Sequence, residues 1–120
     1  MSGKVYLGVV GGTAADYNLL DTHLNELIEK SQCYLFTILC SVSPFDDVSD
    51  NKKPLSLIWA EKNGCPLQYI QAEDSDKLIN LLFNKATYII FILHKDDIFT
   101  KKLFMRYKIT GKHGSVIYAD

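Results

Sequence analysis

Short apolar runs alternate along the chain with segments of helical periodicity. The runs are rich in β-branched and aromatic residues, which predicts strands. We expect these strands at residues 5–10, 34–42, 67–70, 88–93 and 115–118. The second and fourth runs are apolar almost without interruption, which is typical of central strands that are covered on both faces.

Four amphipathic segments lie between these runs, at residues 16 to about 30, 55–62, 76–85 and 99 to about 108. In the last of them, Phe99, Leu103 and Tyr107 are expected to face inward. Strands that alternate with helices indicate a parallel sheet with right-handed crossovers. We therefore predict a single domain over residues 1–120 of α/β class. It would be a three-layer Rossmann-like sandwich with a five-stranded parallel sheet in the order 3-2-1-4-5.

The first strand ends abruptly in Gly11-Gly12, and a helix begins near Asp16. Glycine allows a sharp turn and a close approach of a ligand, and the following helix start attracts an anion. A plain strand-to-helix turn with Asp16 as N-cap would explain the same residues, because the full G-x-G-x-x-G pattern is absent. Both interpretations stay open at this point.

The predicted strand order places the switch point between the first and fourth strands, at Gly11-Gly12 and His94-Lys95. A nucleotide phosphate would meet the glycines and the Thr13 hydroxyl there. Asp16 would cap the helix or accept a hydrogen bond from a ribose. The residues predicted to bind the ligand are Gly11, Gly12, Thr13, Asp16, Tyr17, Ser41, Lys95, Thr100 and Lys101.

Composition excludes several partners. The formal net charge of −1 argues against nucleic acid, and the lysines of residues 95–112 stand beside Asp96 and Asp97, which is typical of a solvated helix face. No apolar run is long enough to span a bilayer and no signal-peptide pattern is present, so we expect a cytoplasmic protein without a membrane partner.

Cysteine and histidine positions predict no cofactor. The three cysteines, Cys33, Cys40 and Cys65, form no C-x-x-C pair, so free thiols in a reducing compartment are expected. The three histidines are far apart and have no ligand pattern around them. The acidic segment with Asp46, Asp47 and Asp50 lacks the spacing and the glycine of a calcium loop. We interpret this segment, within residues 45–54, as a solvated loop.

Three stretches of the chain resemble the small, YspA-like branch of the SLOG superfamily, whose Rossmann-like members are related to the LOG phosphoribohydrolases and to the DprA proteins. Residues 9–20, with Gly-Gly followed by Asp-Tyr and a leucine pair, are similar to the first motif of that family. Residues 57–67, with Trp-Ala and Gly-Cys-Pro, and residues 86–92, with the later Thr100-Lys101, are similar to its middle and late segments. The resemblance implies a nucleotide-derived ligand and a homodimer.

The chain also departs from the family pattern. Thr13 stands where the family has an arginine, Phe99-Thr100 replaces a Gly-Thr pair, and residues 41–47 replace the second glycine-rich motif. No segment matches the glycine-flanked glutamate motif that catalyses N-glycosidic cleavage in the LOG relatives. The resemblance therefore implies binding without catalysis.

Three function classes follow from these observations. The first, which we favour, is a module that binds a nucleotide or a nucleotide-derived small molecule. The alternative is an interaction protein with an eroded pocket that modulates a protein partner. An abundance of Lys, Asn and Ile is compatible with a phage or mobile-element origin of such a protein. The third is a nucleotide N-glycosidase, for which Asp16, Asp46 and Asp47 are the only acid or base candidates.

Overall fold

The structure is a computed structural model that describes residues 5–32, 35–40 and 54–119. The elements in chain order are β1 (Tyr6–Gly11), a 3₁₀ turn (Ala14–Asp16), α1 (Tyr17–Ser31), β2 (Thr37–Cys40), α2 (Leu55–Asn63), β3 (Leu67–Tyr69), α3 (Ser75–Lys85), β4 (Tyr88–Leu93), α4 (Ile98–Ile109) and β5 (Gly114–Tyr118). Among the described residues, no helix is both long and apolar enough to cross a bilayer.

All five strands are parallel and form one sheet in the order β3-β2-β1-β4-β5. This confirms the predicted fold class and the predicted strand order. β1 lies between β2 and β4, with Leu7 opposite Ile38 on one side and Gly11 opposite Ile92 on the other. The chain therefore leaves β1 at the carboxyl edge of the sheet, beside the end of β4.

β2 begins later than predicted. Its first residue is Thr37, which is paired with Tyr6 at the start of β1. Leu35, two residues before the strand, is exposed to solvent. The predicted strand end at residues 41–42 and most of the predicted loop at residues 45–54 lie outside the described residues.

Two apolar cores cover the two faces of the sheet, because successive strand residues point to opposite sides. Ile90 and Ile92 of β4 belong to the core under α1 and α2, together with Leu24 and Trp59. Ile89, Phe91 and Leu93 of β4 belong to the core under α3 and α4. The uninterrupted apolar sequence of β4 is thus the consequence of burial on both faces.

Candidate functional site

The Gly11-Gly12 turn packs tightly against the end of β4. Both residues have positive φ, +85° and +82°, which glycine adopts without strain. A Cβ on Gly11 would lie 2.5 Å from the Ile92 carbonyl oxygen and 2.9 Å from Thr100 Cγ2. A Cβ on Gly12 would lie 2.9 Å from Ile92 Cδ1 and 3.3 Å from Leu55. The space left by the two missing side chains is therefore occupied by Ile92, Thr100 and Leu55. The sequence had instead predicted that this space gives access to a ligand.

Asp16 fills the anion position that follows the turn. Its carboxylate accepts the backbone N–H of Thr13 at 2.8 Å, and the Thr13 hydroxyl lies 3.5 Å from the same oxygen. Asp16 occupies the predicted N-cap position of α1 without forming a side-chain capping hydrogen bond. Its side chain turns back toward Thr13 instead. The Thr13 N–H is therefore already bonded to a carboxylate.

His94 meets Asp16 across the switch point. Its Nε2 lies 2.7 Å from the Asp16 carboxylate, although the two residues are 78 positions apart in the chain. A carboxylate only accepts hydrogen bonds, so Nε2 is the protonated ring nitrogen of this pair. The Asp16 side chain is only 7% exposed and that of His94 is 34% exposed. The pair thus presents a buried carboxylate behind an accessible imidazole.

The start of α4 is capped by a second carboxylate. Asp97 accepts the backbone N–H of Thr100 at 3.0 Å and the Thr100 hydroxyl at 2.5 Å. These hydrogen bonds hold the pKa of Asp97 below its usual value, and the one from the Thr100 hydroxyl has the largest effect. The positive neighbours His94 and Lys101 add to this effect, and partial burial opposes it. Thr100 is buried and bonded to its own helix cap, where the sequence predicted a ligand contact.

The remaining predicted residues separate into two groups. Lys95 and Lys101 lie together at the start of α4, where the Lys101 ammonium donates to the Lys95 carbonyl at 2.7 Å. Tyr17 contacts α2 instead, since its hydroxyl accepts from Asn63 and the Lys62 ammonium lies 4.4 Å from the centre of its ring. Ser41 lies outside the described residues. His94 was predicted to lie at the switch point but was not among the residues predicted to bind the ligand.

Two cavities lie at the opposite, amino edge of the sheet. One has a volume of about 280 Å³ and is lined mainly by apolar residues of β1 and α1. The other is a wider groove of about 1310 Å³ beside Phe36 and Trp59. Neither includes a predicted site residue. Polar side chains such as Asn25 and Gln68 also line the wider groove. We place the candidate site at the carboxyl edge because Asp16 and His94 pair there, at the switch point of the sheet.

No protein-family model matches this chain, and no curated protein is significantly similar to it. Membership of the SLOG superfamily therefore stays a proposal. In the described parts of the chain, no three His, Cys, Asp or Glu side chains form a group that could hold a metal ion.

The Asp97 cap predicts a dependence of stability on acid. A carboxyl whose folded-state pKa is lowered stabilises the fold above its unfolded pKa of about 3.9 and loses this contribution as pH falls through the folded value. We expect Asp97→Asn to lower the free energy of unfolding by about 1 kcal/mol at pH 7, because asparagine can still cap the helix but its neutral amide forms weaker hydrogen bonds than the carboxylate. The difference from wild type should shrink below about pH 4. Urea unfolding at several pH values measures it.

The matched control is Asp76→Asn, at an exposed acidic residue in the first turn of α3. This variant should change stability by less than about 0.5 kcal/mol. A constant difference between Asp97→Asn and wild type across the acid range would contradict the assigned cap.

Proposed function

We propose that this domain binds a nucleotide or a nucleotide-derived small molecule at the carboxyl edge of its sheet, without turning it over. The observation that carries the proposal is the hydrogen-bonded pair of Asp16 and His94 at the point where β1 and β4 lead to opposite sides. In open α/β sheets, ligands bind in the crevice at such switch points. The SLOG resemblance of the segments around the glycine turn points to the same ligand class.

The chemistry of the pair suits a sugar hydroxyl. Because the Nε2–H of His94 is directed at Asp16, a neutral His94 would meet a ribose hydroxyl as an acceptor through Nδ1. A phosphate would meet the exposed side chains of Lys95 and Lys101 at the start of α4. The backbone N–H groups of Thr13 and Thr100 are bonded to carboxylates, so lysines are better phosphate partners here than the helix starts.

A thermal unfolding series with nucleotides tests the proposal. The panel would contain adenine and guanine nucleotides, NAD, ADP-ribose and cyclic dinucleotides. A ligand at a hundred times its dissociation constant should add about 2.7 kcal/mol of stability, a rise of roughly 10 °C in Tm for a domain of this size. His94→Gln should abolish most of this shift, because it removes the imidazole while an amide can still donate to Asp16.

The matched control is His113→Gln, since His113 is an exposed histidine just before β5, at the other edge of the sheet. This variant should keep the full ligand-induced shift. A shift of equal size in His94→Gln would place the ligand elsewhere. A panel that shifts nothing, combined with a stable protein complex that nucleotides do not disturb, would favour the interaction-protein alternative.

Asp16 and His94 also favour a second candidate, hydrolysis of the bound ligand. A carboxylate that orients an imidazole is the usual support of a general base. Chromatography of each ligand after prolonged incubation would reveal turnover. Products that form with wild type and not with His94→Gln would make the domain an enzyme and overturn binding without catalysis.

We further propose that the domain acts as a cytoplasmic homodimer. The dimer rests on the SLOG resemblance. The compartment is supported by Cys65, a free thiol in the structure, as is usual in reducing compartments.

A further inference from the structure

The outward side of α4 carries a line of large apolar side chains. Ile98, Met105 and Ile109 are between 59 and 86% exposed, and Phe99 beside them is also exposed. Positions 98, 105 and 109 return to the same side of an α-helix. We call these three residues the α4 ridge, which extends over about 16 Å along the helix axis.

Packing of the domain does not explain the α4 ridge. Leu103 and Tyr107 are the buried residues that attach α4 to the sheet, and they lie on the other side of the helix. The outward side of a surface helix is normally polar. Contiguous exposed apolar residues with polar neighbours are typical of interaction sites.

Positive charge predominates along the α4 ridge, with Asp96 and Asp97 just before its first residue. Between residues 98 and 109 the helix carries Lys101, Lys102, Arg106 and Lys108 and no acidic residue. Residues 75–112 contain eight basic and three acidic side chains, whereas the whole chain has a net charge of −1. Arg106 is held at the flank by a hydrogen bond to Asn80 of α3. A matching surface must therefore be apolar and anionic together.

We propose that the α4 ridge docks the protein on an anionic membrane surface, with α4 parallel to the plane of the bilayer. A lipid surface accepts a convex ridge without a preformed groove. Lysine stems can follow the apolar side chains while their ammonium groups reach the lipid phosphates. This proposal departs from the expectation of no membrane partner, which rested on the lack of a spanning segment and took no account of a helix lying on the membrane surface.

Two other possible partners match the α4 ridge less well. A nucleic acid would pair with the lysines and leave the apolar residues in water. A second copy of this chain, docked through the same helix, would bring two cationic helices face to face, and such like-charge contacts oppose association. The charge pattern therefore favours an anionic lipid surface over both.

Vesicle sedimentation tests the proposal. The probes are phosphatidylcholine vesicles in which about a third of the lipid is phosphatidylglycerol, and vesicles of phosphatidylcholine alone. Wild type should bind the anionic vesicles about tenfold or more tightly than the neutral ones. At an ionic strength of about 1 M, where the screening length is about 3 Å, the binding should weaken.

The decisive variant is Met105→Ser/Ile109→Ser, which should bind anionic vesicles about tenfold more weakly than wild type. The matched control is Leu19→Ser/Leu35→Ser, which replaces two exposed leucines outside α4 and should leave binding unchanged. An unchanged melting temperature would show that each variant is folded. Three results would overturn the proposal: no binding by wild type, equal binding by the ridge variant, or a loss of mass in the ridge variant that reveals an interface between copies.

Discussion

Replacing Gly11 by alanine should lower the free energy of unfolding by about 3 kcal/mol or more. Two costs combine. An L-residue at φ +85° is strained by about 1–2 kcal/mol, and crowding at a packed position costs about 1–3 kcal/mol. The alanine Cβ would lie 2.5 Å from the Ile92 carbonyl oxygen, which belongs to the backbone of β4 and cannot move without disturbing the sheet. Urea unfolding followed by circular dichroism measures the change.

Gly111→Ala is the matched control for this prediction. Gly111 has a similar φ of +74°, but nothing lies within 4 Å of an added Cβ. This variant should lose only the conformational part, about 1 kcal/mol. Equal losses of unfolding free energy at the two positions would show that Gly11 is required only for its φ angle. The close packing of the turn against β4 would then be contradicted.

The outcome also bears on the candidate site. If Gly11 only cleared space for a ligand, Gly11→Ala would keep the stability of the domain and weaken ligand binding. If Gly11 packs against β4 and α4, the same substitution lowers the stability of the domain. The Gly11 and Gly12 positions are therefore poor places to test ligand binding, and His94 is the better position.

The strand order could be predicted because it follows from local patterns. Apolar runs alternate with amphipathic segments, and the fourth run is apolar on both faces, as the structure confirms for β4. The role of the two glycines could not be predicted in this way. Their neighbours Ile92 and Thr100 are defined by the register of β1 against β4, and no short-range pattern encodes that register.

The pairing of Asp16 with His94 is a tertiary consequence of the same register. Each residue looks ordinary in its own segment, one before a helix and the other after a strand. Because the predicted sheet order already placed the ends of β1 and β4 side by side, a polar pair between these two ends was a possible deduction. The direction of the Asp16 side chain toward Thr13 could not be deduced, because a capping side chain is equally compatible with the sequence.

Helix α4 shows the limit of periodicity. The prediction that Phe99 faces inward is wrong, because this side chain is exposed. The buried face of α4 consists of Thr100, Leu103 and Tyr107, which follow one another at spacings of three and four. Apolar residues on both sides of the helix conceal this face in the sequence, and only packing against β4 distinguishes them.

Phe91→Ala is expected to lower the free energy of unfolding by about 3–5 kcal/mol. Phe91 is completely buried in β4, and its ring has edge-to-face contacts with Phe83 and Phe104, with centroids 6.4 and 5.4 Å apart. A third ring, Tyr107, lies 5.4 Å away. Alanine would leave a cavity among these rings and remove their mutual contacts.

Phe99→Ala provides the same chemical change at an exposed position of α4 and should alter stability by less than about 0.5 kcal/mol. A loss of about 3–5 kcal/mol is a large fraction of the stability of a small domain, so a second, milder variant is measured beside Phe91→Ala. Phe91→Leu keeps most of the volume and should lose about 1–2 kcal/mol, which urea unfolding can measure. Similar losses for Phe91→Leu and Phe99→Ala would contradict a core centred on β4. A clear difference would support a core under α3 and α4 that is centred on Phe91 of β4.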